Sequence, residues 1–141
     1  GEEAVDRLAA ILPTRSDAWT SRADRPLPGG ERRDLEALQR ELQQRHPWLP
    51  GAMAWRLVHN YGTRSATVLG QAAALADLGQ HFGADLYQAE VDYLRDHEWA
   101  HSAEDILWRR SKLGLRLTKP EAARLEAYLA ADAATTAGDA V

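Results

Sequence analysis

The chain contains no cysteine. Disulfides and thiolate metal centres are therefore excluded, and a reducing compartment is allowed without being required. Basic residues are not in excess: 17 Lys and Arg against 21 Asp and Glu leave a net charge of −4. A nucleic-acid binder needs a basic footprint to displace counterions, so that class is set aside. No run approaches the roughly 18 apolar residues of a membrane-spanning helix. The start, Gly1-Glu2-Glu3, is acidic where a secretory leader is basic, so no leader is expected. Gly1 stands in place of an initiator Met and is read as a remnant of processing or trimming. Strong strand signals and internal repeats are missing. So are a G-x-G-x-x-G loop, a Walker loop and a Ser-His-Asp grouping in recognisable context.

What is present describes one globular domain. The 141 residues are 45% apolar and 27% charged. A chain of that length buries roughly two-thirds of the surface it exposes when unfolded. Five tryptophans are many for this length. They serve either as core anchors or as a surface that docks on something.

Apolar spacing predicts helices almost throughout. Val5, Leu8, Ala9 and Leu12 form one short stripe, stopped by Pro13. Residues 13–32, with Pro26, Pro28, Gly29 and Gly30, read as a long loop that Trp19 pins to a surface. Leu35, Leu38 and Leu42 open the next helix, which ends before Pro47. Ala54, Leu57, Val58 and Tyr61 form another, with Gly62 as its left-handed end and Thr63 capping a successor that runs through Ala76. Gly79 and Gly83 flank a turn at His81 and Phe82. Tyr87, Val91, Leu94 and Glu98 share a stripe, and Ser102 through Asp105 signals a new helix start. Thr118-Lys119-Pro120-Glu121 is a second capping box, and Ala122, Leu125 and Leu129 give the last helix its buried face. The fold class expected is all-α: a compact bundle of six to seven short helices over residues 1–132, followed by a flexible tail at 133–141.

His97-Glu98-Trp99-Ala100-His101 is a literal H-E-x-x-H. On one helix, two histidines four apart can bind zinc while the glutamate acts as general base on bound water. Here Ser102 reads as the cap of a new helix, which puts His101 out of register, and no third ligand has suitable spacing. The reading preferred is a helix-end histidine and a glutamate paired with arginine, and no metal ligand is assigned.

The charged candidates are structural. Asp105 and Arg109, four apart, can pair on one helix. Arg110 shares a face with Ile106 and Leu113, so it should meet a carboxylate, with Glu90 and Glu98 as candidates. A phosphate clamp is the functional alternative for this pair of arginines. Trp99 and Trp108 are expected to fill the core.

Ordered blocks then point to one family. They run from Asp77-Leu78-Gly79 through Leu86-Tyr87-Gln88-Ala89-Glu90-Val91-Asp92-Tyr93-Leu94 and His97-Glu98-Trp99-Ala100 to Ala103-Glu104-Asp105-Ile106-Leu107-Trp108-Arg109-Arg110-Ser111-Lys112-Leu113-Gly114-Leu115. Ala18-Trp19-Thr20, Leu27-Pro28-Gly29-Gly30, Pro47-Trp48-Leu49 and Tyr61-Gly62-Thr63 agree. The chain resembles, from about Val5 to about Leu129, the C-terminal domain of the FAD-dependent, respiratory sn-glycerol-3-phosphate dehydrogenases of bacteria. Ser111 stands where that family commonly has Thr, which keeps the hydroxyl.

The resemblance implies a large N-terminal FAD-binding domain outside this chain. It implies oxidation of glycerol 3-phosphate to dihydroxyacetone phosphate, electrons passing through flavin to quinone, and a cytoplasmic enzyme peripheral to the membrane. No catalytic or cofactor-binding residue is transferred, and the chain itself is expected to hold no cofactor. It would be a non-catalytic helical cap whose inter-domain contacts include Trp19, Leu27, Pro28 and the Arg109-Arg110 region, with a homodimer contact as a further expectation. The competing readings are a free-standing helical interaction module and, behind it, a zinc hydrolase using His97, Glu98 and His101.

Overall fold

The computed structural model describes residues 26–138 together with Arg7 and Ile11, with side chains described to Asp132. The helix expected at Val5 to Leu12 and the contact expected of Trp19 lie outside the described residues. Within them are α1 (Leu35–Arg45), α2 (Gly51–Tyr61), α3 (Ser65–Leu69), α4 (Gln88–Glu98), a π-helical turn at Asp105–Arg110 and α5 (Lys119–Gly138). Short 3-10 turns at Gly62–Arg64, Leu75–Leu78 and Leu113–Leu115 connect them. The protein is mostly helical, as an all-α reading requires, with one addition that the sequence concealed. β1 (His81–Gly83) pairs antiparallel with β2 (Leu86–Tyr87).

That hairpin is short because its alternation is short: Phe82 and Leu86 are fully buried while His81 stays exposed. Ala84 turns the chain at φ 51°. Two or three residues per strand give too little periodicity to separate a strand from a turn.

The core forms where helical stripes converge. Leu38 and Leu42 of α1 meet Ala54, Leu57 and Val58 of α2, and Val91 and Leu94 of α4 close the layer. Each large aliphatic side chain buried there contributes about 1.5–3 kcal/mol. Local caps set the helix starts. Asp34 accepts from the Ala37 N–H at 2.8 Å, and the Glu121 carboxylate accepts from the Thr118 N–H at 2.7 Å. Leu125 and Leu129 seat α5 on the core, and Arg95 to Asp132 at 2.7 Å ties it to α4.

Three expectations change. The helix after Gly62 does not run through Ala76; α3 ends at Leu69, and Gly70 takes φ 55°. Glycine there stops the helix, and Ala73 and Ala76 are exposed rather than packed. Thr63 does not cap that helix, because its hydroxyl donates to Glu31 instead. At the other end, the backbone of α5 continues past Ala133 to Gly138, as an alanine-rich stretch favours.

Candidate docking cleft and buried charge cluster

Two places in the fold gather polar and aromatic groups. The first is buried. Arg56, on the inner face of α2, aims its guanidinium at α4 and the hairpin turn. Its Nη1 and Nη2 donate to the two carboxylate oxygens of Glu90 at 2.6 and 2.7 Å. Its Nε donates to Asp85 Oδ2 at 2.8 Å, and Nη2 also reaches the Asp85 carbonyl at 2.9 Å. The Tyr61 hydroxyl donates to Glu90 Oε1 at 2.7 Å, and Arg116 reaches Asp85 at 3.2 Å. Glu90 is 1% exposed and Arg56 8%.

Burial alone would lower the Arg56 pKa, but Glu90 and Asp85 outweigh it and hold it above the ordinary value. Burial, and then the charge of Glu90, push the Tyr61 phenol up, so it stays protonated and donating. Every strong donor faces an acceptor, as a buried ion pair requires. The cluster bolts α2, the hairpin and α4 together, and its hydrogen bonds close on protein groups.

The second place is a surface cleft of about 320 Å³ whose lining includes Leu27, Pro28, His59, Arg64, Tyr93 and Glu98. The loop at its edge is fixed by a backbone clasp. Gly29 has φ 90° and Gly62 φ 56°, and the Thr63 N–H donates to the Gly29 carbonyl at 3.1 Å. A Cβ on Gly62 would stand 1.8 Å from that carbonyl oxygen, so only glycine fits. Glu31 completes the clasp by accepting from Thr63, which with backbone donors holds its carboxyl below the usual range.

The tryptophans correct an expectation here. Trp99 and Trp108 do not fill the core: Trp99 is 79% exposed and Trp108 46%. Trp99 follows Glu98 of the cleft and adopts φ 55°, ψ 33° as the left-handed end of α4. Its own N–H and that of Ala100 both donate to the Leu94 carbonyl, which closes the helix end. Trp108 lies elsewhere, against Gly114. Trp55, also exposed, stacks on His59 with ring centroids 3.9 Å apart.

The remaining sequence candidates fall as follows. Asp105 accepts from Arg109 at 2.6 Å, while Glu104 accepts from the same guanidinium at 3.1 Å. Arg110 is half-exposed and donates to the Glu98 carbonyl at 2.8 Å, with its Nε 3.9 Å from the Glu98 carboxylate. Glu90, the other carboxylate considered for Arg110, is taken by Arg56. Leu27 and Pro28 share the cleft with Glu98, whose carbonyl accepts from Arg110, while Arg110 itself does not line it. His97 packs at a tilt against Tyr93, α4 ends at Glu98, and His101 lies beyond the left-handed Trp99. The two histidines therefore share no helical face. Among the described residues no group of three or more His, Asp or Glu could hold a metal. No described helix is long and apolar enough to cross a membrane.

Residues 21–136 match the family model of the C-terminal domain of alpha-glycerophosphate oxidase. The chain is 48% identical over 129 residues to a glycerol-3-phosphate dehydrogenase of Pseudomonas aeruginosa, covering 91% of this chain and 25% of that protein. It is 43% identical over 124 residues to a D-erythritol 1-phosphate dehydrogenase of Brucella abortus, covering 86% and 24%. It is 36% identical over 129 residues to the aerobic glycerol-3-phosphate dehydrogenase of Escherichia coli, covering 91% and 25%. The chain thus spans about a quarter of the length of these curated relatives.

Proposed function

Because the chain belongs to the family of C-terminal domains found in alpha-glycerophosphate oxidase and its dehydrogenase relatives, we propose that it is the helical cap of a longer flavoenzyme. That enzyme oxidises glycerol 3-phosphate to dihydroxyacetone phosphate with FAD and passes electrons to quinone. The cap supplies no catalytic group. The observation that carries the reading is one of extent. Similarity runs along nearly the whole chain, yet occupies only a quarter of each relative.

Two features support a structural role for this quarter. Among the described residues the buried Arg56 closes on Glu90 and Asp85. Relatives named for different phosphorylated polyols match this portion at similar identity, 48% and 43%, as a shared structural domain would. The described residues do not fit a flavin site. The only sheet among the described residues is the two-stranded hairpin, with no strand-turn-helix crevice for a dinucleotide. FAD is held, on this reading, by the N-terminal remainder.

The test is to read the coding frame upstream of Gly1 and purify its product. The expected product carries flavin absorbance and reduces a quinone analogue with glycerol 3-phosphate. A frame opening at or near Gly1, or a longer product without flavin, overturns the reading in favour of a free-standing interaction module.

A further inference from the structure

The surface cleft holds polar groups that the fold leaves without partners. Tyr93, which lines it, is 6% exposed. Its ring stands edge-on to Tyr61, with centroids 5.4 Å apart, and His97 packs on it at 4.8 Å. The Tyr61 hydroxyl is committed to Glu90, but the Tyr93 hydroxyl makes no hydrogen bond among the described residues. There, the Ser65 hydroxyl alone is a buried side-chain polar atom both sealed from solvent and without a partner. The Tyr93 hydroxyl, equally unpartnered, therefore keeps an opening to solvent at the cleft.

Three more groups of the lining are uncommitted. Arg64 is half-buried and forms no ion pair or guanidinium hydrogen bond among the described residues, whereas Arg32 of the same lining is taken by Glu41 at 2.6 Å. His59 turns Nδ1 to the Trp55 carbonyl at 2.8 Å. A carbonyl only accepts, so Nδ1 carries the proton and the neutral ring offers Nε2 as an acceptor. Stacking on Trp55 fixes that ring. The Glu98 carboxylate lies 3.9 Å from Arg110, too far for a hydrogen bond.

We infer that this cleft is a binding site for a small anion that carries hydroxyl groups. Arg64 supplies the positive charge, and its planar fork suits a carboxylate or a phosphate. His59 Nε2 and Glu98 are acceptors, which a ligand's hydroxyls satisfy, and the Tyr93 hydroxyl both donates and accepts. Leu27 and Pro28 offer apolar surface to the carbon skeleton. An anion without hydroxyls leaves the acceptors unused, and a neutral polyol leaves Arg64 unmatched. The volume of about 320 Å³ is at the low end for ligand sites, which limits the ligand to a few carbons. The walls are set in advance: the Gly29–Gly62 clasp holds the loop, and Arg56 with Tyr61 ties α2 to Glu90 of α4. Binding therefore has little left to order. All of these groups belong to this chain, so the site stands or falls separately from the cap reading.

The experiment is titration of the 141-residue chain, followed by amide NMR shifts, with glycerate as the probe. Propionate lacks its hydroxyls, glycerol lacks its charge, and serine carries an ammonium in place of its 2-hydroxyl. Glycerate should shift the amides around His59, Arg64 and Tyr93 and bind about tenfold more tightly than propionate or glycerol. Arg64→Met should weaken it by about the same factor. Tyr93→Phe keeps the ring against Tyr61 and should weaken binding several-fold with the melting temperature unchanged. Glycerol 2-phosphate is run alongside, and the tighter of the two anions identifies the oxyanion that Arg64 holds. Propionate binding as tightly as glycerate would reduce the site to an adventitious ion contact and overturn the inference. Serine binding more tightly than glycerate overturns it as well, by giving Glu98 an ammonium partner. So do shifts confined to other surfaces, the absence of any shift, or an affinity that both substitutions leave unchanged.

Discussion

The arginines of this chain form ion pairs of two different kinds. Arg109 and Arg110 lie on the π-helical turn and pair with carboxylates in partial contact with water. Arg56 lies on the inner face of α2 and pairs with a carboxylate that is 1% exposed. In water, the attraction between ions is offset by screening and by the entropy of holding long side chains. In the interior, the charges attract strongly but lose hydration, so removing one partner strands the other. Location, not residue type, decides which arginine matters to the fold.

The largest expected effect follows directly. Arg56→Met leaves Glu90 buried without its two guanidinium hydrogen bonds and should destabilise the protein by about 3–5 kcal/mol. Chemical denaturation of the variant checks this. Pairing it with Glu90→Gln should recover part of the loss, since the stranded charge is then gone. A double variant no more stable than Arg56→Met would mean that packing around the arginine stem, rather than charge, dominates. Tyr61→Phe comes next. It removes one donor from Glu90 while keeping the ring against Tyr93, and should cost about 1–3 kcal/mol. A neutral Tyr61→Phe would show that the Arg56 fork alone satisfies the carboxylate.

How legible each cluster was in the sequence follows the same division. Asp105 with Arg109, and Thr118 with Glu121, are separated by one helical turn, so spacing alone brings them together. Arg56 and Glu90 are 34 residues apart, and their meeting depends on how α2 crosses α4. A local signal existed: Glu90 is four residues before Leu94, and Arg56 three after Met53, so each charge sits on a core-facing stripe. That signal marks both as buried and opposite in sign, yet cannot choose between Arg56 and Arg110 as the partner. The hairpin was hidden because strands of two and three residues show no usable alternation. The exposure of Trp99 was hidden because aromatic residues are buried on average, and only the left-handed turn after Glu98 shows that this one is not. Helix starts, by contrast, were readable at Thr118, where cap and carboxylate are neighbours.

Arg110→Met tests the exposed side of the comparison. Its guanidinium is 41% exposed and 3.9 Å from the Glu98 carboxylate, with one hydrogen bond to a carbonyl. The loss should be no more than about 1 kcal/mol and should shrink further in high salt. A loss as large as that of Arg56→Met would place Arg110 in the buried class and undo the distinction.

The smallest effect belongs to the caps, and it has a sign. Hydrogen bonds from the Ser102 hydroxyl and N–H, aided by Arg109, hold the Asp105 carboxyl below its ordinary 3.8. The Thr118 N–H and hydroxyl hold that of Glu121 below its ordinary 4.5. A carboxylate whose folded pKa is depressed binds fewer protons folded than unfolded. The stability it contributes is therefore complete above the unfolded value and is lost as pH falls through the folded one. Side-chain carboxyl titration by NMR should place both groups below those ordinary values. Ser102→Ala and Thr118→Ala should each move one carboxyl back up and flatten the acid limb of thermal stability, leaving neutral pH nearly unchanged. A Ser102→Ala protein whose Asp105 still titrates low until Arg109→Met is added would assign the depression to Arg109. Asp105 would then belong with the exposed ion pairs rather than with the caps.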